Sequence, residues 1–217
     1  MSADLIALLL KASGETIRMV AVSMLAATLL GIPLGVLLLV TGKRQILECT
    51  PLNRMLAAVI NAVRSVPFII LMVAIIPFTR LIAGTSIGTT AAMVPLTIAA
   101  IPFIGRQVET SLREVPYGII EAALAMGASP FQIIRRVYLP EAMPGIVAQL
   151  TTVVIALVGA SAMAGAIGGG GLGDLAIRFG YQRFRPEVML ATIVVLVVLV
   201  QFIQFAGNQL SRRLNKK

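Results

Sequence analysis

The chain has 217 residues, 58% of them hydrophobic and only 12% charged, with a mean hydropathy of +0.96 and a formal net charge of +9. A soluble domain is nearer half apolar and a quarter charged, so this much apolar surface reads as a membrane protein. With no His and one Cys, the chain lacks the ligands for a Cys/His zinc site, the base of a Ser-His-Asp triad and the partner for an internal disulfide.

No cofactor is expected, and the basic excess reads as Lys and Arg flanking membrane segments. Nine acidic residues and no interleaving of aromatic with basic residues give nucleic acid no support as a partner.

The chain opens MSADLIALLLKASGETIR, where the only early charge is Asp4. A secretory signal needs a positive start, and Leu5 to Leu10 is too short to span, so a short interfacial helix is predicted there. Residues 19–42 carry no charge and form the first predicted span. Cys49 falls in the polar connector that follows and reads as a bystander thiol.

The uncharged stretch from Ser65 to Thr79 would be only about 22 Å long as a helix. The second span is therefore extended backwards through Arg64, to 57–79. Arg64 is expected to snorkel to water, with a structural role at the mouth of the span as the alternative. Pro67 is expected to kink or loosen this helix. The third, fourth and fifth spans are predicted at 87–105, 144–167 and 188–211, each free of charge.

Five spans place the termini on opposite sides. Lys43, Arg44, Arg54, Arg106, Arg113, Arg135, Arg136, Arg212, Arg213, Lys216 and Lys217 would share one side, against Lys11, Arg18, Arg80, Arg178, Arg183 and Arg185 on the other. Eleven against six predicts the N-terminus outside and the C-terminus in the cytoplasm.

Between spans three and four the chain reads EAALAMGASPFQIIRRVYLP, residues 121–140. Gly127 fits a helix stop in the left-handed conformation. Ser129 fits an N-cap, Pro130 the first helical position and Gln132 the partner in a capping box. Ile133, Ile134 and Val137 form an apolar stripe beside Arg135 and Arg136, and Pro140 is expected to end the helix. The reading is two short helices joined by a tight corner. By physics alone, the stripe suits either a groove on a partner or lipid headgroups. Glu109, Glu114, Glu121 and Glu141, in a connector with four Arg residues, read as solvated or interfacial salt bridges.

The pattern Glu121-Ala122-Ala123, Gly127, Ile134, Leu139-Pro140 resembles the EAA loop of ABC-importer permeases. The stretches RSVPFIILMVAIIPFTRLIAGTSIGTTAAMVPLTIAAIPFIGR, LPEAMPGI and GGGGLGDLAIRFGYQRF are similar to methionine-importer permeases, as are length and span layout. The chain has GGGG at 168–171 where that family is expected to have GAGG. The resemblance covers nearly the whole chain.

It implies an all-α membrane protein of the type I ABC importer permease fold, a single domain over 1–217 in a bacterial inner membrane. It further implies a coupling helix gripped by an ATPase, with Glu121, Ala122, Ala123, Met126, Gly127, Ala128, Pro130, Ile133, Ile134 and Arg135 at the contact. Two ATPase subunits at the cytoplasmic side, an extracytoplasmic binding lipoprotein and a small amino-acid cargo, methionine, follow from the same likeness. One copy has too few helices to wall a path, so a homodimer is expected. The chain contains no G-x-x-x-x-G-K-[ST], so it is read as a non-catalytic subunit that does not itself hold ATP.

Three other patterns are weighed. Gly168, Gly170 and Gly173 satisfy G-x-G-x-x-G but lack the βαβ context of a dinucleotide site. The small-residue run around Gly159, Ser161, Met163 and Gly165 reads as a packing seam at a subunit or pathway interface, with packing inside one subunit as the bland alternative. Leu at Gly165 is accordingly expected to block transport while leaving expression intact. Gln201, Gln204 and Asn208 share a face of the fifth span and should point at protein or water. Arg64, Ser65 and Pro67 join these as pathway or packing candidates. Rival readings are an ion-coupled secondary transporter, a membrane scaffold, and an ABC permease for another small solute such as a quaternary amine.

Overall fold

The computed structural model describes residues 3–215, so Lys216 and Lys217 of the charge count lie outside the described residues. Among the described residues every regular element is helical. In chain order these are α1 (Ala3–Val40), α2 (Thr50–Ser65), α3 (Phe68–Ala74), α4 (Ile76–Ala83), α5 (Thr89–Arg113), α6 (Tyr117–Ala125), α7 (Pro130–Ile133), α8 (Leu139–Ala164), α9 (Gly171–Leu175) and α10 (Pro186–Leu214). Four helical stretches are long and apolar enough to cross a membrane: Asp4–Val40, Thr89–Arg113, Pro130–Gly169 and Pro186–Leu214. A fifth appears if α2 and α3 count together as one broken span.

The chain divides into two compact units. One takes α1 up to Ala27 with Val66–Ala100 and Val154–Gln204; the other takes Thr28–Ser65, Ile101–Val153 and the chain from Phe205.

In the first unit, α1 corrects the expectation of a separate interfacial helix, because the helix runs unbroken from Ala3. The polar stretch 11–18 contains no proline, and a single Gly14 costs only about 1 kcal/mol in a helix interior. Ser13 returns its hydroxyl to the carbonyl of Leu9 at 2.7 Å. Leu5, Leu9 and Ala12 are buried with Leu172, Leu175 and Val188, so protein covers this face.

Pro67 does more than kink the second span. Its ring bars Val66 from the helical region, and α2 ends at Ser65. Pro67 itself, at φ −55 and ψ 136, starts α3, and the two helices meet at a bend of 100°. Ile75 and Pro77 then divide α3 from α4.

In the second unit, α1 and α5 approach backbone to backbone. A Cβ on Gly35 would lie 2.6 Å from the Gly105 carbonyl oxygen, and one on Gly31 would lie 2.6 Å from Ile104. These glycines are four apart, the G-x-x-x-G spacing that lets helices close. Here α5 runs past Gly105 to Arg113, beyond the expected end of the third span. Pro140 does not end its helix. A π-helical turn at Ile134–Tyr138 widens the backbone just before it, and helix continues on both sides for 40 residues in all, Pro130–Gly169. The Leu139 N–H reaches back to the Ile134 carbonyl, five residues behind.

Candidate functional site

The corner at 121–140 is built from local chemistry. Pro116 precedes α6, and α6 closes in a Schellman arrangement: Ala128 N–H donates to the Ala123 carbonyl at 3.1 Å, and Gly127 N–H to the Leu124 carbonyl at 2.9 Å. Gly127 sits at φ +77, a conformation that costs a residue with a Cβ about 1–2 kcal/mol. The chain restarts at once in a capping box. Ser129 N–H donates to Gln132 Oε1 at 2.8 Å, and Gln132 N–H donates to Ser129 Oγ at 3.4 Å. Pro130 follows at the first helical position.

The corner's inner and outer faces differ from the expected ones. Ile133 is fully buried, and Ile134 and Val137 are half-buried, because α6 packs across α7 and the π turn. The stripe is therefore turned toward its own chain, which corrects the idea that it is free to enter a groove. Ile120 and Ala123 of α6 are buried as well. The exposed surface holds Glu121, Ala122, Gly127, Arg135 and Arg136, together with Met126 at 82% and Phe131 at 68% exposure. Ala128 and Pro130 are intermediate.

An ion-pair network stands behind the corner. Glu109, only 5% exposed at its side chain, takes Arg106 and Arg113 at 2.7 Å each. Arg106 donates also to Asn61 Oδ1 at 3.0 Å, fastening the end of α5 to α2. Glu109 thus forms the expected salt bridges as a buried, doubly compensated charge and not a solvated one; Glu114, Glu121 and Glu141 are exposed. Arg64 is exposed, with its guanidinium carbon 5.6 Å from the centre of the Phe103 ring. Ser65 is exposed and donates to the Asn61 carbonyl, and Pro67 is exposed.

The glycine-rich run splits the seam residues. Gly165 is buried against its own chain: a Cβ there would collide with Asp174 N and would stand 2.8 Å from the Gly170 carbonyl oxygen. A Leu side chain there would enter backbone of its own chain, which argues against the expectation that Leu at Gly165 leaves expression intact. Ser161 is buried and donates to the Val158 carbonyl at 2.7 Å. Gly159 and Met163, four residues apart on one face of α8, are exposed, and a Cβ on Gly159 meets nothing within 4 Å. Gly159 also lines an apolar groove of about 320 Å³ with Val158, Ala162, Leu196, Val200 and Gln201. Gln201 and Asn208 are exposed and Gln204 is half-buried.

Two features escaped the sequence reading. The Gly31–Gly35 spacing was available as a motif. The second had no signal: Glu15 Oε2 accepts the Gly171 N–H at 2.8 Å, and Thr16 Oγ1 accepts the Leu172 N–H at 2.9 Å, across 156 residues in each case.

Residues 31–216 match the family model described as binding-protein-dependent transport system inner membrane component. A Vibrio cholerae relative, described as "Probable D-methionine transport system permease protein MetI", is 57% identical over 210 residues, covering 97% of this chain and 93% of its own. The Escherichia coli K12 D-methionine transport system permease protein MetI is 53% identical over 165 residues, 76% of each chain. Among solved structures, a chain of the MetNI methionine ABC transporter in inward-facing conformations superposes with a TM-score of 0.98 at 50% identity, over 100% of both chains.

Proposed function

The chain belongs to the family of binding-protein-dependent transport system inner membrane components, and on that premise we propose that it carries methionine, as the D or L isomer, across the inner membrane. As a member, it is the membrane-spanning, non-catalytic permease subunit of an ABC importer and has the type I importer permease fold. The observation that carries the methionine assignment is 57% identity sustained over 97% of the chain, together with a fold agreement of 0.98.

In this reading two copies form the path. The exposed α8 face of Gly159 and Met163 lies toward that path, and a substrate-binding protein delivers cargo from outside. The N-terminus is outside and the C-terminus cytoplasmic, which puts the corner on the ATPase side. Two ATPase subunits grip it through Glu121, Ala122, Met126, Phe131 and Arg135, all exposed. Two exposed apolar anchors beside charged groups are the composition of a binding hot spot. Ile133 and Ile134 act from beneath by holding the corner's shape. The mechanism is alternating access driven by ATPase closure, and the arrangement supported here is the inward-facing one.

The test is reconstitution of the permease with its ATPase and binding protein in proteoliposomes. Radiolabelled D-methionine should accumulate only with ATP present inside the ATPase-facing compartment. Accumulation driven by an ion gradient without ATP would overturn the assignment, and ATP-driven uptake of a quaternary amine but not methionine would move the cargo.

A further inference from the structure

The glycine-rich segment at 165–172 has almost no side chains with which to hold itself. Ile167 and Gly168 leave helical geometry, at φ −115, ψ 29 and φ 93, ψ 15. Gly170 and Gly171 are both left-handed, at φ 77 and 76. The N–H groups of the successive residues Gly171 and Leu172 turn toward oxygen acceptors on the same helix. That helix is the chain's own α1, with the Glu15 carboxylate on Gly171 and the buried Thr16 hydroxyl on Leu172.

Both glycines also carry the steric imprint of that contact. A Cβ on Gly171 would stand 2.6 Å from Thr16 Oγ1 and 2.8 Å from Met19 Cε; one on Gly170 would stand 3.1 Å from Glu15 Oε2 and 3.1 Å from Thr89. On its other side the segment is tied by a backbone bond from Gly88 N–H to the Gly168 carbonyl at 2.9 Å. Leu172, at the end of the segment, is anchored in the apolar cluster with Leu5, Leu9 and Ala12, while the glycines before it are placed by directional polar contacts to Glu15, Thr16 and Gly88.

We propose that Glu15 and Thr16 are positioning residues of the transport cycle: they hold the 168–172 segment in the arrangement seen here and so stabilise the resting, inward-facing state. This rests on the reading of the chain as an ABC importer permease, since the state is identified by its likeness to an inward-facing permease. A contact made in only one of two states biases the equilibrium toward it, and weakening the contact raises the population of the other. Loss of the clamp should favour the ATPase-closed state even without a binding protein. The sign of that effect separates a positioning role from a brace.

The experiment uses the permease–ATPase complex in proteoliposomes, with and without binding protein and D-methionine. Wild-type complex that takes up neither methionine nor a quaternary amine with ATP would sink the importer reading, whatever the variants do. Given wild-type uptake, Thr16→Val and Glu15→Ala should each raise ATP hydrolysis in the absence of binding protein by roughly 3- to 10-fold, the scale set by losing one or two net hydrogen bonds. Stimulation by binding protein should shrink in step. Thr16→Ser and Glu15→Gln retain an acceptor oxygen and should lie closer to wild type than the two disruptive variants. Unchanged basal hydrolysis in both disruptive variants overturns the proposal. So does a parallel fall of basal and stimulated hydrolysis with a lowered Tm, which marks a brace. If Thr16→Val does not fold, the ordering of Glu15→Ala above Glu15→Gln decides alone, and equal values overturn it.

Discussion

The corner at 117–138 and the glycine-rich segment at 165–175 are both sharp reversals, yet they are secured in opposite ways. The corner is held by bonds between residues three to five apart: Ala128 to Ala123, Gly127 to Leu124, and Ser129 with Gln132. The glycine segment is held by polar ties to Glu15, Thr16 and Gly88 and by Leu172 and Leu175 packing on Leu5 and Leu9, all far away in sequence. The difference teaches where information lies. A self-capped corner keeps its shape while its outer face is free to meet another protein. A segment tied from elsewhere responds to whatever moves those elements.

Substitutions can break or sharpen this contrast. The largest effect is expected at Gly165→Leu, where a side chain would enter the backbone of 170–174. Overpacking of this kind costs about 3 kcal/mol or more, so folded yield in detergent should collapse; a well-folded Gly165→Leu protein would mean that the glycine segment is looser than its contacts indicate. Gly127→Ala is expected to cost about 1–2 kcal/mol through its left-handed backbone, read as a lower Tm with weaker ATPase binding. Ser129→Ala should cost about 1 kcal/mol by removing the cap, measured by the same melt. Met126→Ala with Phe131→Ala should leave stability within about 0.5 kcal/mol of wild type and Tm nearly unchanged, because both side chains are exposed. That pair should nonetheless lose methionine uptake and co-purification with the ATPase. Uptake retained by the pair would remove the corner's outer face from the coupling interface.

The same contrast explains how much was readable in the sequence. The long apolar helices and the corner's stop, cap and proline follow from composition and from spacing within a few residues. The break at Pro67 was legible as a proline effect, but its size was not, because a 100° bend depends on what α3 packs against. The continuation through Pro140 was hidden because a π turn leaves no composition signal. The unbroken α1 was hidden because KASGETIR looks like a connector until Leu5 and Leu9 find Leu172 and Val188. Ile133 had the right periodicity, yet periodicity names a buried face without saying which chain buries it. Glu15 and Thr16 could not be paired with Gly171 and Leu172 from sequence, since nothing local marks a bond spanning 156 residues.

The crossing at Gly31, Gly35 and Gly105 has a mechanical consequence. At Gly35 the α1 backbone meets the Gly105 carbonyl, with Ile104, Val108 and Leu34 packed tightly beside it, so little space remains to take up a displacement. The link from α5 to α6 is only Glu114 to Pro116, so a push delivered at the corner reaches α5 with little slack. There Gly105 of α5 lies against Gly35 of α1, so a shift of this end of α5 is felt at once by the facing turns of α1.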